Sequence, residues 1–131
     1  MSNRKFITDG EGLPQCDNPI SHAVVVNNMC FISGQLSVSV DGNYILGTIE
    51  EETQRAFDNV FAAAKASGFD RSEIVYIDIA FSGLSQLKSV NDIFMHLFPE
   101  GRRPARTIYE AAALPFGGKI KAVATAVKDL L

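Results

Sequence analysis

The sequence predicts an α+β protein in which two helices lie across one face of a single mixed sheet. Two segments repeat apolar residues at helical spacing, one from Thr48 and one from about Ser85. Several others are short β-branched and aromatic runs bounded by Gly, Pro, Asn or Asp. Their order, β-β-α-β-α-β-β, leaves two helices whose natural packing is against one sheet face. At 131 residues the chain is expected to form one domain, 1–131, and at this size about two-thirds of the unfolded surface can be buried without a disulfide or metal staple.

Residues 9–19 are rich in Gly, Pro, Asp and Asn and predict an irregular loop, with an extra strand at Phe6 to Thr8 left open before it. His22 to Val26 and Met29 to Leu36 read as strands joined by Asn27-Asn28, since asparagine tolerates positive φ in a tight hairpin. Leu36 to Val40 alternates strictly and ends at the turn signal Asp41-Gly42.

Thr48 followed by Glu51 is a capping box, which satisfies two free N–H groups at a helix start. Glu50, Glu51 and Glu52 suit the positive end of the helix dipole. Ile49, Ala56, Phe57, Val60 and Ala64 share one face, and Gly68 is placed to end the helix. Glu73 to Phe81 predicts a strand; Ser85 to Phe98 predicts a second helix, buried through Leu87, Val90, Phe94 and Leu97 and stopped by Pro99. Ala105 to Ala111 and Lys119 to Val127 close the fold, joined by the turn-prone Leu114-Pro115-Phe116-Gly117-Gly118. Strands this apolar predict a partner on the face that the helices leave bare, and hence homo-oligomerisation of unspecified copy number.

The net charge of −3 argues against a nucleic-acid binder, which needs a basic excess to neutralise phosphates. Arg102, Arg103 and Arg106 form the one basic cluster, readable as a solvated loop. The two cysteines, Cys16 and Cys30, have no metal-type spacing and suggest a reducing compartment. No apolar run approaches the ~20 residues of a membrane helix, so a cytoplasmic protein is expected. His22 and His96 stand far apart, with no carboxylate or cysteine grouping to suggest a metal site. Phosphate-loop, dinucleotide-loop and nucleophile-elbow motifs are missing, so spacing alone does not reveal an enzyme.

Arg103-Pro104-Ala105-Arg106-Thr107, with Leu114-Pro115 downstream, resembles the C-terminal signature of the Rid (reactive-intermediate deaminase, YjgF-like) family. Phe31-Ile32-Ser33-Gly34-Gln35 resembles the family's SGQ strand. Glu52-Thr53-Gln54 through Phe57-Asp58-Asn59-Val60 resembles its first helix, and Val90-Asn91 its second. The resemblance spans residues 20–128, with the elements in the family's order. It implies a chorismate-mutase-like α+β fold, a homotrimer with clefts between subunits, and cofactor-free hydrolysis of enamines and imines such as 2-aminoacrylate to 2-keto acids and ammonia.

By the same resemblance, Arg106 grips the substrate carboxylate, a role suited to a planar guanidinium; its alternative is a structural ion pair. Ser33, Gly34 and, on weaker grounds, Asn91 are implied to line the pocket. Ile108 falls where the family uses backbone groups. Two departures follow: the family's water-orienting carboxylate aligns with Val123, and its substrate-packing aromatic aligns with Ala23. Glu110, Lys121 and His22 are the substitutes considered for water activation. The alternatives to a deaminase are a carboxylate-binding module on the same trimer and, behind it, an endoribonuclease or translation inhibitor. Chorismate mutase activity would be analogy by fold alone.

Overall fold

The computed structural model describes residues 3–130. Its strands are β1 (Arg4–Ile7), β2 (Ala23–Val26), β3 (Met29–Gln35), β4 (Ile74–Phe81), β5 (Ala105–Glu110) and β6 (Ile120–Val127); its helices are α1 (Ile49–Ala66) and α2 (Leu87–Leu97). The sheet order is β1-β2-β3-β6-β4-β5. β4 and β5 pair in parallel, joined by the crossover through α2, and the other neighbours are antiparallel. The optional N-terminal strand is therefore present, and the last strand inserts between β3 and β4.

Local signals explain most boundaries. Val26 pairs with Met29 across the Asn27-Asn28 turn, where Asn27 takes φ 56°. The Thr48 side chain accepts from the Glu51 N–H, and the Glu51 carboxylate accepts from the Thr48 N–H. At the far end of α1, the N–H of Gly68 bonds Lys65 O while that of Phe69 bonds Ala64 O, a paired closure that needs a left-handed residue between them. Gly68 supplies it at φ +83° with open space where a Cβ would stand. Gly68→Ala is expected to lower stability by about 1 kcal/mol, all of it conformational; urea midpoints at pH 7 check this.

Two segments differ from the sequence reading. Leu36 to Val40 does not continue as a strand: its one bridge pairs Val38 with Tyr44. Buried Asn59 of α1 donates instead to the carbonyls of Leu36 and Val38, which pins the segment as a loop against the helix. α2 begins at Leu87 rather than Ser85, and Gln86 at its start makes no side-chain cap.

Alternation along β6 sorts the sheet faces. Ile120, Ala122, Ala124 and Ala126 are buried beneath the helices, in one core with Phe57, Val60, Ile77, Ile79, Phe81 and Phe94. Lys121, Val123, Thr125 and Val127 face the other way. Their register neighbours on that second face include Phe31, Val24 and Phe6 towards β1, and Tyr76, Asp78 and Tyr109 towards β5. Phe6, Phe31 and Tyr109 are exposed there, and no helix covers them. Among the described residues, no helix is long and apolar enough to cross a membrane.

Candidate functional site

Arg106 extends from edge strand β5 on the helix side of the sheet, in register with buried Ile77. Its Nη1 donates to Asn91 Oδ1 of α2 at 2.8 Å, and its guanidinium carbon lies 5.2 Å from the centre of the Phe94 ring. α2 therefore orients the group through one neutral hydrogen bond and one aromatic face. No carboxylate pairs with Arg106 among the described residues, where Glu52 pairs with Lys119 and Glu73 with Lys128. The structural ion pair considered from sequence is thus not formed among the described residues. Beneath the guanidinium runs a groove of about 380 Å³, floored by Ile77, Phe94 and Phe98 and rimmed by Arg103.

Ser33 and Gly34 lie elsewhere. Ile32 pairs with Ala124 and Gln35 with Ala122, so two β3 residues stand opposite Val123 alone. This bulge turns Ser33 and Gly34 to the bare face. Ser33 Oγ donates to Ser21 O at 2.6 Å. The Lys121 side chain runs along Gly34, where a Cβ would push the flexible lysine aside. Val123 is half-buried at the bulge, in register with Asp78 on β4, whose Oδ1 is buried without a hydrogen-bond partner among the described residues.

Two of the expected site residues are buried within the single chain. Ala23 pairs with Ile32 on the helix side and is 1% exposed, so in the single chain it packs in the core. His22 is buried with both ring nitrogens engaged: Nε2–H donates to Pro14 O at 2.7 Å and Nδ1 accepts from Gln35 Nε2 at 3.2 Å. The ring ties the 14–22 loop to β3 and has no free lone pair for water. Ile108 packs half-buried against the core, in register with Ile79. Glu110 shares the Arg106 face and accepts from the Leu84 N–H through Oε1 at 3.2 Å.

The structure brings Arg106 and Asn91 together and, separately, Ser33, Gly34, Lys121 and Val123. Three inter-strand spacings divide β5 from β3, about 14 Å, and the two groups occupy opposite faces. Next to the second group opens a cleft of about 360 Å³ that sequence reasoning missed. Ile20, Cys16, Gly34 and Phe116 are among its lining residues, joined by Gln15 and Asp41 from loops that the Gln15 N–H to Val40 O bond clasps together. No motif marks these positions, because loops distant in sequence meet only in the fold. Among the described residues, no three His, Cys, Asp or Glu side chains converge as a metal site requires.

The family model described as Endoribonuclease L-PSP matches residues 12–128. The chain is 35% identical over 121 residues to Reactive Intermediate Deaminase A, chloroplastic, of Arabidopsis thaliana, an alignment covering 92% of this chain and 64% of that protein. It is 33% identical over 129 residues to 2-iminobutanoate/2-iminopropanoate deaminase of Bos taurus, covering 98% and 93% of the two chains. The solved structure of the YjgF gene product from E. coli superposes with a TM-score of 0.86 at 30% identity, covering 95% of this chain and 99% of that one. A match across nearly the whole chain in sequence, joined to the same arrangement of helices and strands, means that the chain belongs to the Endoribonuclease L-PSP family, the Rid/YjgF proteins.

Proposed function

We propose that this chain hydrolyses reactive 2-imino acids and their enamine tautomers to 2-keto acids and ammonia, without a cofactor. The observation that carries the reading is the state of Arg106: an exposed guanidinium, aimed by Asn91 and Phe94, with no carboxylate partner among the described residues. A group held this way has donors free for a substrate carboxylate. The deaminase names of the relatives from Arabidopsis thaliana and Bos taurus support the reaction class.

In the reaction the enamine tautomerises to the imine, water adds to the imine carbon, and the carbon–nitrogen bond breaks as nitrogen takes up a proton and leaves as ammonia. The enzyme has to hold the carboxylate, polarise the imine and place the water. Arg106 performs the first task. Lys121, lying along Gly34 with no ion-pair partner among the described residues, is assigned to the departing nitrogen as proton donor. Glu110 stands four residues beyond Arg106 on the same face, about 13 Å along the strand, too far to serve a small substrate gripped by that arginine.

Arg106 and Lys121 cannot share one substrate within a single copy. We infer that the complete site lies between copies, in the homotrimer that the family resemblance implies, with the Arg106 groove of one against the Ser33-Gly34 bulge of the next. The bare apolar face and the unpartnered Asp78 oxygen support this arrangement, since both call for cover. A second reading, a carboxylate-binding module without turnover, is favoured by Val123, which supplies no base at the bulge. Endoribonuclease action sits poorly with a net charge of −3.

The test is release of ammonia and keto acid from freshly generated 2-iminopropionate and 2-iminobutyrate. Turnover clearly above the spontaneous rate is expected. A wild type no faster than the spontaneous reaction, with activity appearing in Val123→Glu, would sink the deaminase reading in favour of the binding module.

A further inference from the structure

Phe116 is built in a way that neither backbone preference nor core packing explains. It sits at φ 64° in the loop between β5 and β6, one of two positive-φ residues other than glycine among those described. A bulky side chain in the left-handed region is strained, and Gly117 beside it, at φ 69°, shows the residue type this turn favours. Burial does not compensate, because Phe116 is 59% exposed.

The ring is nevertheless held. It stacks on Tyr44 with centroids 5.9 Å apart and planes 11° from parallel. The Tyr44 hydroxyl donates to the buried Glu52 carboxylate at 2.6 Å, so the support is fixed from the protein interior. One side of Phe116 is thus backed by an anchored ring while the residue lines the cleft that also holds Ile20 and Gly34. Strain retained in an exposed side chain at a cleft points to function. Ala23, where the family resemblance places the substrate-packing aromatic, is in the core and cannot supply one.

We propose that Phe116 is the specificity-determining platform of this cleft: it packs on the side chain of the 2-imino or 2-keto acid and favours flat, aromatic side chains over a methyl group. The ligand class rests on the deaminase reading above; the role of the ring rests on its own geometry. Offset stacking of two rings, together with the area it buries, favours the aromatic ligand by roughly tenfold.

The experiment is calorimetric titration of the assembled wild-type protein with phenylpyruvate and with pyruvate, repeated on Phe116→Ala and Phe116→Gly. About a tenfold preference for phenylpyruvate is expected in the wild type, falling towards parity in both variants. Phe116→Gly also relieves the left-handed strain, so its thermal midpoint should stay close to that of the wild type while the preference is lost; this separates recognition from folding. Equal affinities in the wild type, no detectable binding of either acid, or a preference that survives in both variants would each overturn the proposal. Absence of imine turnover with the phenylpyruvate preference intact would sink the deaminase reading and leave this one standing.

Discussion

Arg106→Ala is expected to lower kcat/KM for imine hydrolysis by at least about 100-fold while leaving the fold in place. Each charge-assisted hydrogen bond to a substrate carboxylate contributes roughly 1.5–3 kcal/mol, and a forked guanidinium makes two of them. In the folded chain the side chain is exposed, makes one bond to Asn91 and leans on Phe94. Losing those contacts should cost about 1 kcal/mol or less, since an exposed cation–aromatic contact contributes only about that much. Arg106→Lys keeps the charge but not the fork and should fall between wild type and alanine. Steady-state kinetics beside urea unfolding check this; a variant within about threefold of wild-type kcat/KM would remove Arg106 from the carboxylate role.

The largest stability effect is expected at Glu52. Its side chain is 0% exposed and accepts from Tyr44 Oη, the Gly47 N–H, the Lys119 N–H and Lys119 Nζ, at 2.6, 3.2, 3.1 and 3.2 Å. One carboxylate thus joins α1 to the 44–47 loop and to the start of β6. Glu52→Ala strands a hydroxyl and two backbone N–H groups and should cost about 3 kcal/mol, a substantial part of a typical 5–15 kcal/mol. Lys119 is partly exposed, so its charge contributes the smaller part.

The same cluster sets a pH dependence. Burial pushes the Glu52 carboxyl up, but the hydrogen bonds from Tyr44, Lys119 and Gly47 outweigh it and hold the group below its ordinary 4.5. A folded value below the unfolded one gives stability that is present above pH 4.5 and lost as pH falls further. Burial, then the bond to Glu52, push the Tyr44 hydroxyl from 10.0 up to about 12. That contribution is present below pH 10 and lost as pH rises through about 12. Urea midpoints at pH 3, 7 and 11 should therefore fall at both extremes in the wild type and change less in Glu52→Ala. Parallel pH curves for the two proteins would refute this account of the cluster.

These two residues also divide what was legible from what was not. Arg106 was found through a local string, Arg103 to Thr107, that survives in sequence whatever the fold does around it. Glu52 was read only as a first-turn acid suited to the helix dipole, the same reading given to its neighbours Glu50 and Glu51. Those two are exposed, and nothing in the sequence separates them from a carboxylate whose partners lie 5, 8 and 67 residues away. A glycine inside β3 was a weak signal for the bulge. Ala23 sits in the core, and strand faces alternate residue by residue, so a shift of one position along β2 would move a side chain from one face to the other.

By itself the sequence determined the elements and their ends: the Thr48–Glu51 box, the Gly68 closure, the Asn27-Asn28 turn, the stop at Pro99 and the family string around Arg106. Each depends on groups within a few residues of one another, where backbone geometry leaves few choices. Tertiary structure alone decided that β6 enters between β3 and β4, that Arg106 and the Ser33-Gly34 bulge stand on opposite faces, that Glu52 is buried, and that Phe116 is held over a cleft. Those outcomes depend on which distant strands and loops meet, and pairing across a sheet is selected by the packing of the whole core rather than by any short run of residues.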